Sequence, residues 1–290
     1  MQINYTNVLK ITPDLSSMMH AISLVQIRRT CRIATMSIEH DNETTRRFDL
    51  SGIDDLQRRC AQLGVSIPVA DDLSVLAEPV QVGPVVVPNS LAVHPMEGCD
   101  GLPDGSPADL TIRRYDRFAA GGAGLLWVEA IAVVPEGRAN PRQLWLHEAN
   151  LPAFASLVNR IRARAAEARG RNHRPILVAQ LTHSGRYSRP INKPQPLAAQ
   201  KNPHRDKALP PDVDLAVVTD EYLDRLQDSY VKAAELAFAA GFDAVDIKAC
   251  HGYLINDLLA GHTRPGKYGG AFENRTKFLL DVVDRIHARL

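Results

Sequence analysis

The sequence predicts an α/β fold of the TIM (β/α)8 barrel type, of which about four βα units are present, preceded by an N-terminal arm and a short helix. Three observations lead there. Short apolar strands alternate with amphipathic helices, the order that makes a parallel sheet with helical crossovers. The strands (Leu91–Val93, Gly124–Val128, Pro175–Ala179 and Ala244–Ile247) are continuously apolar but for Asp246, as strands covered on both faces are. Polar residues then gather just past the carboxyl end of each strand, where barrel enzymes place their chemistry. No GxGxxG follows any of these strands, which weakens a dinucleotide-binding reading.

The elements follow in order. Residues 1–48 scatter Arg28, Arg29, Arg32, Arg46 and Arg47 among polar residues without a sustained period, and are expected to form a disordered arm. Their lack of acidic residues from 15 to 38 also resembles a transit peptide, and Met18, Met19 and Met36 leave a later start codon open. Residues 49–78 hold a short helix and a linker: Ile53, Leu56, Cys60 and Leu63 recur at helical spacing, with Ser51 or Asp54 as cap and Gly64 as stop. Val80–Val87 alternates and then turns apolar, which predicts a β-ribbon that covers something.

From residue 79 to 290 the βα rhythm runs, and this span is read as a partial barrel. Helices are predicted over Asp109–Ala120, Pro152–Ala168, from Thr219 through an acidic first turn, and from about Glu273 to Arg289. The segment 187–218 is long and rich in Pro and Lys, so a lid or substrate loop is expected there. The chain stops at Leu290, where a fifth strand would be expected.

Bulk properties narrow the class. The 290 residues carry 34 Lys+Arg against 33 Asp+Glu, a formal charge of +1, so charge points to neither nucleic acid nor a membrane surface. No apolar run approaches the roughly 20 residues of a membrane helix. Cys31, Cys60, Cys99 and Cys250 show no CxxC spacing, so no zinc site or disulfide framework is indicated, and a cytoplasmic setting is expected.

The richest stretch runs from Gly241 to Tyr253: a helix stop, a strand, then Lys248, His251 and Tyr253 within six residues. Each of the three can donate a proton or hold a negative charge, so this corner is the candidate active site. Glu129, at the end of the second strand, is expected to pair with an arginine such as Arg186.

With these pieces placed, the sequence resembles the Old Yellow Enzyme family of FMN-dependent NAD(P)H oxidoreductases. Four motifs carry the resemblance: Pro88-Asn89-Ser90-Leu91 through Pro95-Met96; Val128-Glu129-Ala130 with Pro135-Glu136-Gly137-Arg138; Gln180-Leu181 with His183-Ser184-Gly185-Arg186; and His251-Gly252-Tyr253-Leu254 with Arg264, Tyr268-Gly269-Gly270 and Glu273-Asn274-Arg275. The resemblance implies FMN as cofactor and NADH or NADPH as hydride donor. It implies that Pro95, Met96, Glu97 and Ala130 run along the flavin and that Gln180 bonds its pyrimidine edge. His251 and the position of Lys248 would hold a substrate oxygen, and Tyr253 would give a proton. Lys248 and Glu97 depart from the family pattern, which commonly has His at the first and Thr or Cys at the second. The family's later strands carry the flavin's phosphate loops, so that anchor is expected outside these residues.

Two other readings stay open on the residues alone. A lysine at the end of a barrel strand serves Schiff-base aldolases, which would make Lys248 a nucleophile. A partial barrel also leaves open sheet edges, so the chain is alternatively an inactive or partner-dependent fragment that associates with a second copy.

Overall fold

Parallel pairing sets the architecture of the computed structural model, which describes residues 50–290. The expected arm over 1–48 lies outside the described residues. Residues 50–74 belong to one compact unit and residues 75–290 to another.

The first unit contains helix α1 (Ile53–Leu63), stopped by Gly64 in the left-handed conformation. The expected side-chain cap is not made. Gly52 occupies the cap position, and Ser51 instead bonds forward through both its backbone and its hydroxyl to Asp55. Of the apolar stripe, only Cys60 is buried.

The second unit opens with an antiparallel hairpin, β1 (Val80–Val82) and β2 (Val85–Val87), as the alternation predicted. The main sheet has four parallel strands in the order β3 (Ala92–Val93), β4 (Leu125–Ala132), β5 (Ile176–Thr182) and then β8 (Ala244–Ile247). Between them run α2 (Asp109–Gly121), α3 (Leu151–Arg169) and α4 (Asp220–Ala240). A short helix α5 (Leu254–Leu259) and the long α6 (Phe272–Arg289) follow β8.

Two strands run further than their apolar runs suggested. β4 continues through Glu129 to Ala132, with a register shift against β5 between Val128 and Ile131, an irregularity that re-aims the side chains there. β5 continues through Gln180 to Thr182, pairing Gln180 with Asp246 and Leu181 with Ile247. The segment expected as an open loop contains a small parallel pair, β6 (Leu197–Ala198) and β7 (Ala216–Val217).

Alternation along each strand divides the sheet into two faces. Leu126, Val128, Leu177 and Ala179 meet Phe154, Leu157, Val158 and Ile161 of α3 in one core. A second core joins Leu223, Leu226 and Tyr230 of α4 to Phe278, Val282 and Ile286 of α6. Gln180 and Asp246 lie on the opposite face, away from these helices, and are hydrogen-bonded there. The α4-to-β8 turn needs glycine: Gly241 sits at φ 96°, where a side chain would be strained and would press on Val158. Thr219 caps α4 as expected, its hydroxyl accepting from the Tyr222 backbone N–H at 3.1 Å.

Phe154 is fully buried at the centre of the first core. Phe154→Ala is expected to lower unfolding free energy in urea by about 3–5 kcal/mol. Leu280→Ala on the exposed face of α6 should change it by less than about 0.5 kcal/mol.

Candidate active site

The carboxyl ends of β3, β4, β5 and β8 converge on one group of polar side chains. The loop after β3 delivers Glu97, and the end of β8 delivers Lys248. The turn Cys250–Tyr253, closed by the Tyr253 N–H to the Cys250 carbonyl, presents Tyr253. Lys248 is 4% exposed, and its Nζ lies 2.6 Å from Glu97 Oε1. The Tyr253 hydroxyl donates to the same carboxylate, 3.1 Å from Oε1 and 3.3 Å from Oε2. Lys248 Nζ also sits 4.2 Å from the centre of the Tyr253 ring, within cation–π range. Lys248 and Tyr253 thus share a carboxylate that lies more than 150 positions before them in the chain. Burial first, and then the Glu97 charge, push the Tyr253 hydroxyl well above the usual tyrosine range.

His251 lies beside this group rather than in it. Its ring centre is 6.3 Å from that of Tyr253, it is exposed, and its backbone sits at φ 59°. The left-handed region costs a residue with a Cβ about 1–2 kcal/mol. That strain sets the tight turn that separates His251 from Tyr253. Gly252 follows at φ 70°, a conformation that favours glycine, and the Arg205 guanidinium and the Tyr187 ring lie against the place a side chain would take there. The Tyr187 ring is 5.9 Å from that of Tyr253.

The turn that carries Glu97 is fixed from beneath. Glu129, 2% exposed, accepts from the Gly98 N–H and from Arg114, each at 2.5 Å. Arg114 in turn holds Asp100 at 2.6 and 2.9 Å, and Thr111 donates to Asp100 at 2.7 Å. Burial raises the Glu129 carboxyl against the lowering effect of these donors, while Arg114 holds Asp100 below the usual carboxylate range. Glu129 therefore pairs with an arginine, as expected, but that arginine is Arg114 and not Arg186. Arg186 is engaged by Asp206, by Asp257 at 3.1 Å and by the Gln200 carbonyl at 2.6 Å. Spacing could not show this, because Arg114 comes from α2, which precedes β4.

The residues expected along a flavin are placed unevenly. Pro95 is part-exposed and Met96 is 77% exposed. Ala130 is fully buried at the β4 bulge, and its carbonyl accepts from Gln143 at 3.1 Å. Gln180 donates its amide to Asp246 at 2.7 Å, and its amide oxygen takes no hydrogen bond from the described residues. Asp246 was not anticipated, although a charged residue two positions before Lys248 in an apolar strand is the signal: both face the same side. The open Gln180 oxygen and the bare Pro95-Met96 surface fit a planar ring with an N–H on its edge.

Three further motif residues build walls. His183 is fully buried, and burial lowers it to about 3, so it is neutral. Its Nδ1 accepts from the Gly185 N–H at 3.0 Å, which leaves Nε2 to donate to Tyr222 at 2.9 Å. The Tyr222 hydroxyl in turn donates to Glu136 at 3.1 Å. Arg264 binds the carbonyls of Ala199 and Val218 at 2.6 and 2.8 Å and Asp220 at 2.7 Å. Among the described residues, no group of His, Cys, Asp and Glu is arranged to hold a metal ion, and no helix is long and apolar enough to cross a membrane.

The carboxyl edge of the parallel sheet thus collects acids, a buried lysine and a tyrosine, and comparison with known proteins names the lineage of the chain. Residues 75–290 match the NADH:flavin oxidoreductase / NADH oxidase family, and the chain belongs to that family. It is 33% identical to an NADPH dehydrogenase of Halalkalibacterium halodurans over 186 residues, 63% of this chain and 50% of that protein. It is 35% identical to an NADPH dehydrogenase of Bacillus pumilus over 188 residues, 63% of this chain and 51% of that one. The chain spans about half the length of the curated relatives it matches. Among solved structures, it resembles the Old Yellow Enzyme homologue of Zymomonas mobilis with a TM-score of 0.62 and 27% identity, over 73% of this chain and 59% of that one. Morphinone reductase in complex with tetrahydroNAD gives a TM-score of 0.62 at 25% identity, over 73% of this chain and 60% of that one. The α/β fold with its parallel sheet therefore matches part of the barrel of these enzymes.

His183 ties stability to pH. Unfolded, it takes up a proton below its ordinary 6.5; folded, it does so only near 3. Its contribution to stability is thus present above pH 6.5 and is lost as pH falls toward 3, at up to about 1.4 kcal/mol per pH unit. Urea unfolding across pH 7 to 4.5 should show this slope, and His183→Asn should flatten it.

Proposed function

We propose that this chain carries the substrate-facing half of an FMN-dependent NAD(P)H reductase that saturates an electron-poor alkene, such as an α,β-unsaturated carbonyl. The observation that carries the reading is the convergence of Lys248 and Tyr253 on one carboxylate at the carboxyl edge of the sheet, where Gln180 also leaves its amide oxygen open. Family membership supports the cofactor, since relatives are described as NADPH dehydrogenases. FMN, when bound, supplies hydride chemistry, with Gln180, Pro95 and Met96 as the residues that would hold the ring.

The chain's own residues do the rest. As hydride reaches the β-carbon of an enone, charge develops on its oxygen, and donors already aimed at that oxygen lower the barrier. Lys248 and His251 are the donors at hand. Tyr253, held neutral by burial and by Glu97, retains its proton for the α-carbon. A positioned acid of this kind adds roughly 10²–10⁴-fold.

The Schiff-base reading loses support from the same geometry. Lysine nucleophiles are activated in apolar pockets or beside a second cation, whereas Lys248 faces a carboxylate at 2.6 Å. Association of two copies remains part of the proposal, because β3 and β8 are the edge strands of the main sheet and edges invite pairing. Size-exclusion chromatography with light scattering should then report a mass of at least two chains.

The test of the main reading is the visible spectrum of the purified chain after FMN is added and desalted, followed by NADPH-dependent reduction of 2-cyclohexenone. Retained flavin and turnover are expected. Tyr253→Phe should keep the flavin and lower the alkene half-reaction by roughly 10²–10⁴-fold. A folded chain that releases all flavin sinks the reading.

A further inference from the structure

We propose that Glu97 sets the ligand class of this site, making it select a neutral oxygen over an anionic one. The proposal rests on the reading of Lys248 and Tyr253 as the groups that meet the ligand. A lysine at this position, taken alone, would favour an anion. The structure gives that charge a partner within the protein: Lys248 Nζ is 2.6 Å from Glu97 and 4.2 Å from the Tyr253 ring centre, and the Tyr253 hydroxyl points its proton at the same carboxylate.

The wider charge balance points the same way. Behind Glu97 stand Glu129 and Asp100, which share Arg114, and Asp246 lies on the neighbouring strand against Gln180. Around Cys99, beside this corner, the three carboxylates Glu97, Glu129 and Asp100 thus face Lys248 and Arg114, with Arg142 against Asp100 and with His251 and Arg205 on the solvent side, where water and salt screen them. An incoming phenolate or carboxylate would place another negative charge against Glu97 in a site partly closed to water, where like charges repel more strongly than in bulk. A carbonyl oxygen adds no charge. It needs only that Lys248 or Tyr253 turn one donor from Glu97 toward it, which the shared geometry allows without leaving an ion unpaired.

Two measurements test this, one independent of flavin. In the flavin-free chain, ionisation of Tyr253 is followed by tyrosinate absorbance, with Tyr253→Phe in each background to isolate its signal. Glu97→Gln should move that titration to lower pH by at least one unit, because the Lys248 ammonium then acts on the ring uncompensated. An unmoved titration overturns the proposal. In the FMN-saturated chain, 4-nitrophenol and 4-nitrophenolate are distinguished by their separate absorption bands. Glu97→Gln should raise the phenolate-to-phenol affinity ratio at least tenfold, and the double variant Glu97→Gln with Lys248→Met should cancel the gain. An unchanged ratio in Glu97→Gln, or a double variant that binds phenolate as tightly as the single, overturns it. Should Glu97→Gln not fold with its lysine unpaired, Lys248→Met reads the same balance from the other side: phenolate should weaken at least tenfold relative to phenol, and an unchanged ratio counts against Glu97. A chain that fails to keep FMN would remove the reductase reading while the Tyr253 titration still judges Glu97.

Discussion

The ion pair between Glu97 and Lys248 is the contact on which the site depends. It joins the loop after the first strand of the sheet to the end of the last, across residues that burial would otherwise separate from any partner. Removing either charge leaves the other desolvated, which in comparable buried pairs costs about 3–5 kcal/mol. The pair therefore serves as a positional lock more than as a source of net stability. Everything else at the carboxyl edge is arranged to keep it in place. Glu129 and Arg114 hold the Glu97 turn, and the strained His251 turn brings Tyr253 back over Lys248.

Much of this was legible in the sequence, for identifiable reasons. Continuous apolar runs betray parallel strands because both faces are covered, so β3, β4, β5 and β8 could be placed to within a few residues. Helix stops at Gly64, Gly122 and Gly241 were visible because glycine alone takes the left-handed cap cheaply. Lys248, His251 and Tyr253 stood out because they follow a strand in close succession.

What escaped the sequence were the partnerships. The bulge in β4 and the extension of β5 depend on cross-strand register, which a single strand's composition does not encode. Glu129 binding Arg114, and Gln180 binding Asp246, join residues whose distance in sequence carries no information about distance in space. Glu97 could be recognised as unusual, but its role as the shared acceptor for Lys248 and Tyr253 required the fold. The short helix Leu254–Leu259 was hidden because its apolar residues read as a continuation of the motif that precedes it.

The connection between β5 and α4 shows how such a scaffold accommodates change. Arg186 and Arg264 hold its middle, at Ala199 and Gln200, and its end, at Val218, through backbone carbonyls, and Asp257 accepts the Ala199 N–H. Carbonyl clamps are indifferent to the side chains they hold. The tip from Lys201 to Asp214 can thus be rewritten around Asp206, which the buried Arg186 keeps as an ion partner, while Arg205 at that tip reaches Gly252. Selection has in this segment a surface that it can edit apart from the strands of the sheet, in the way an antibody framework lets its loops diversify.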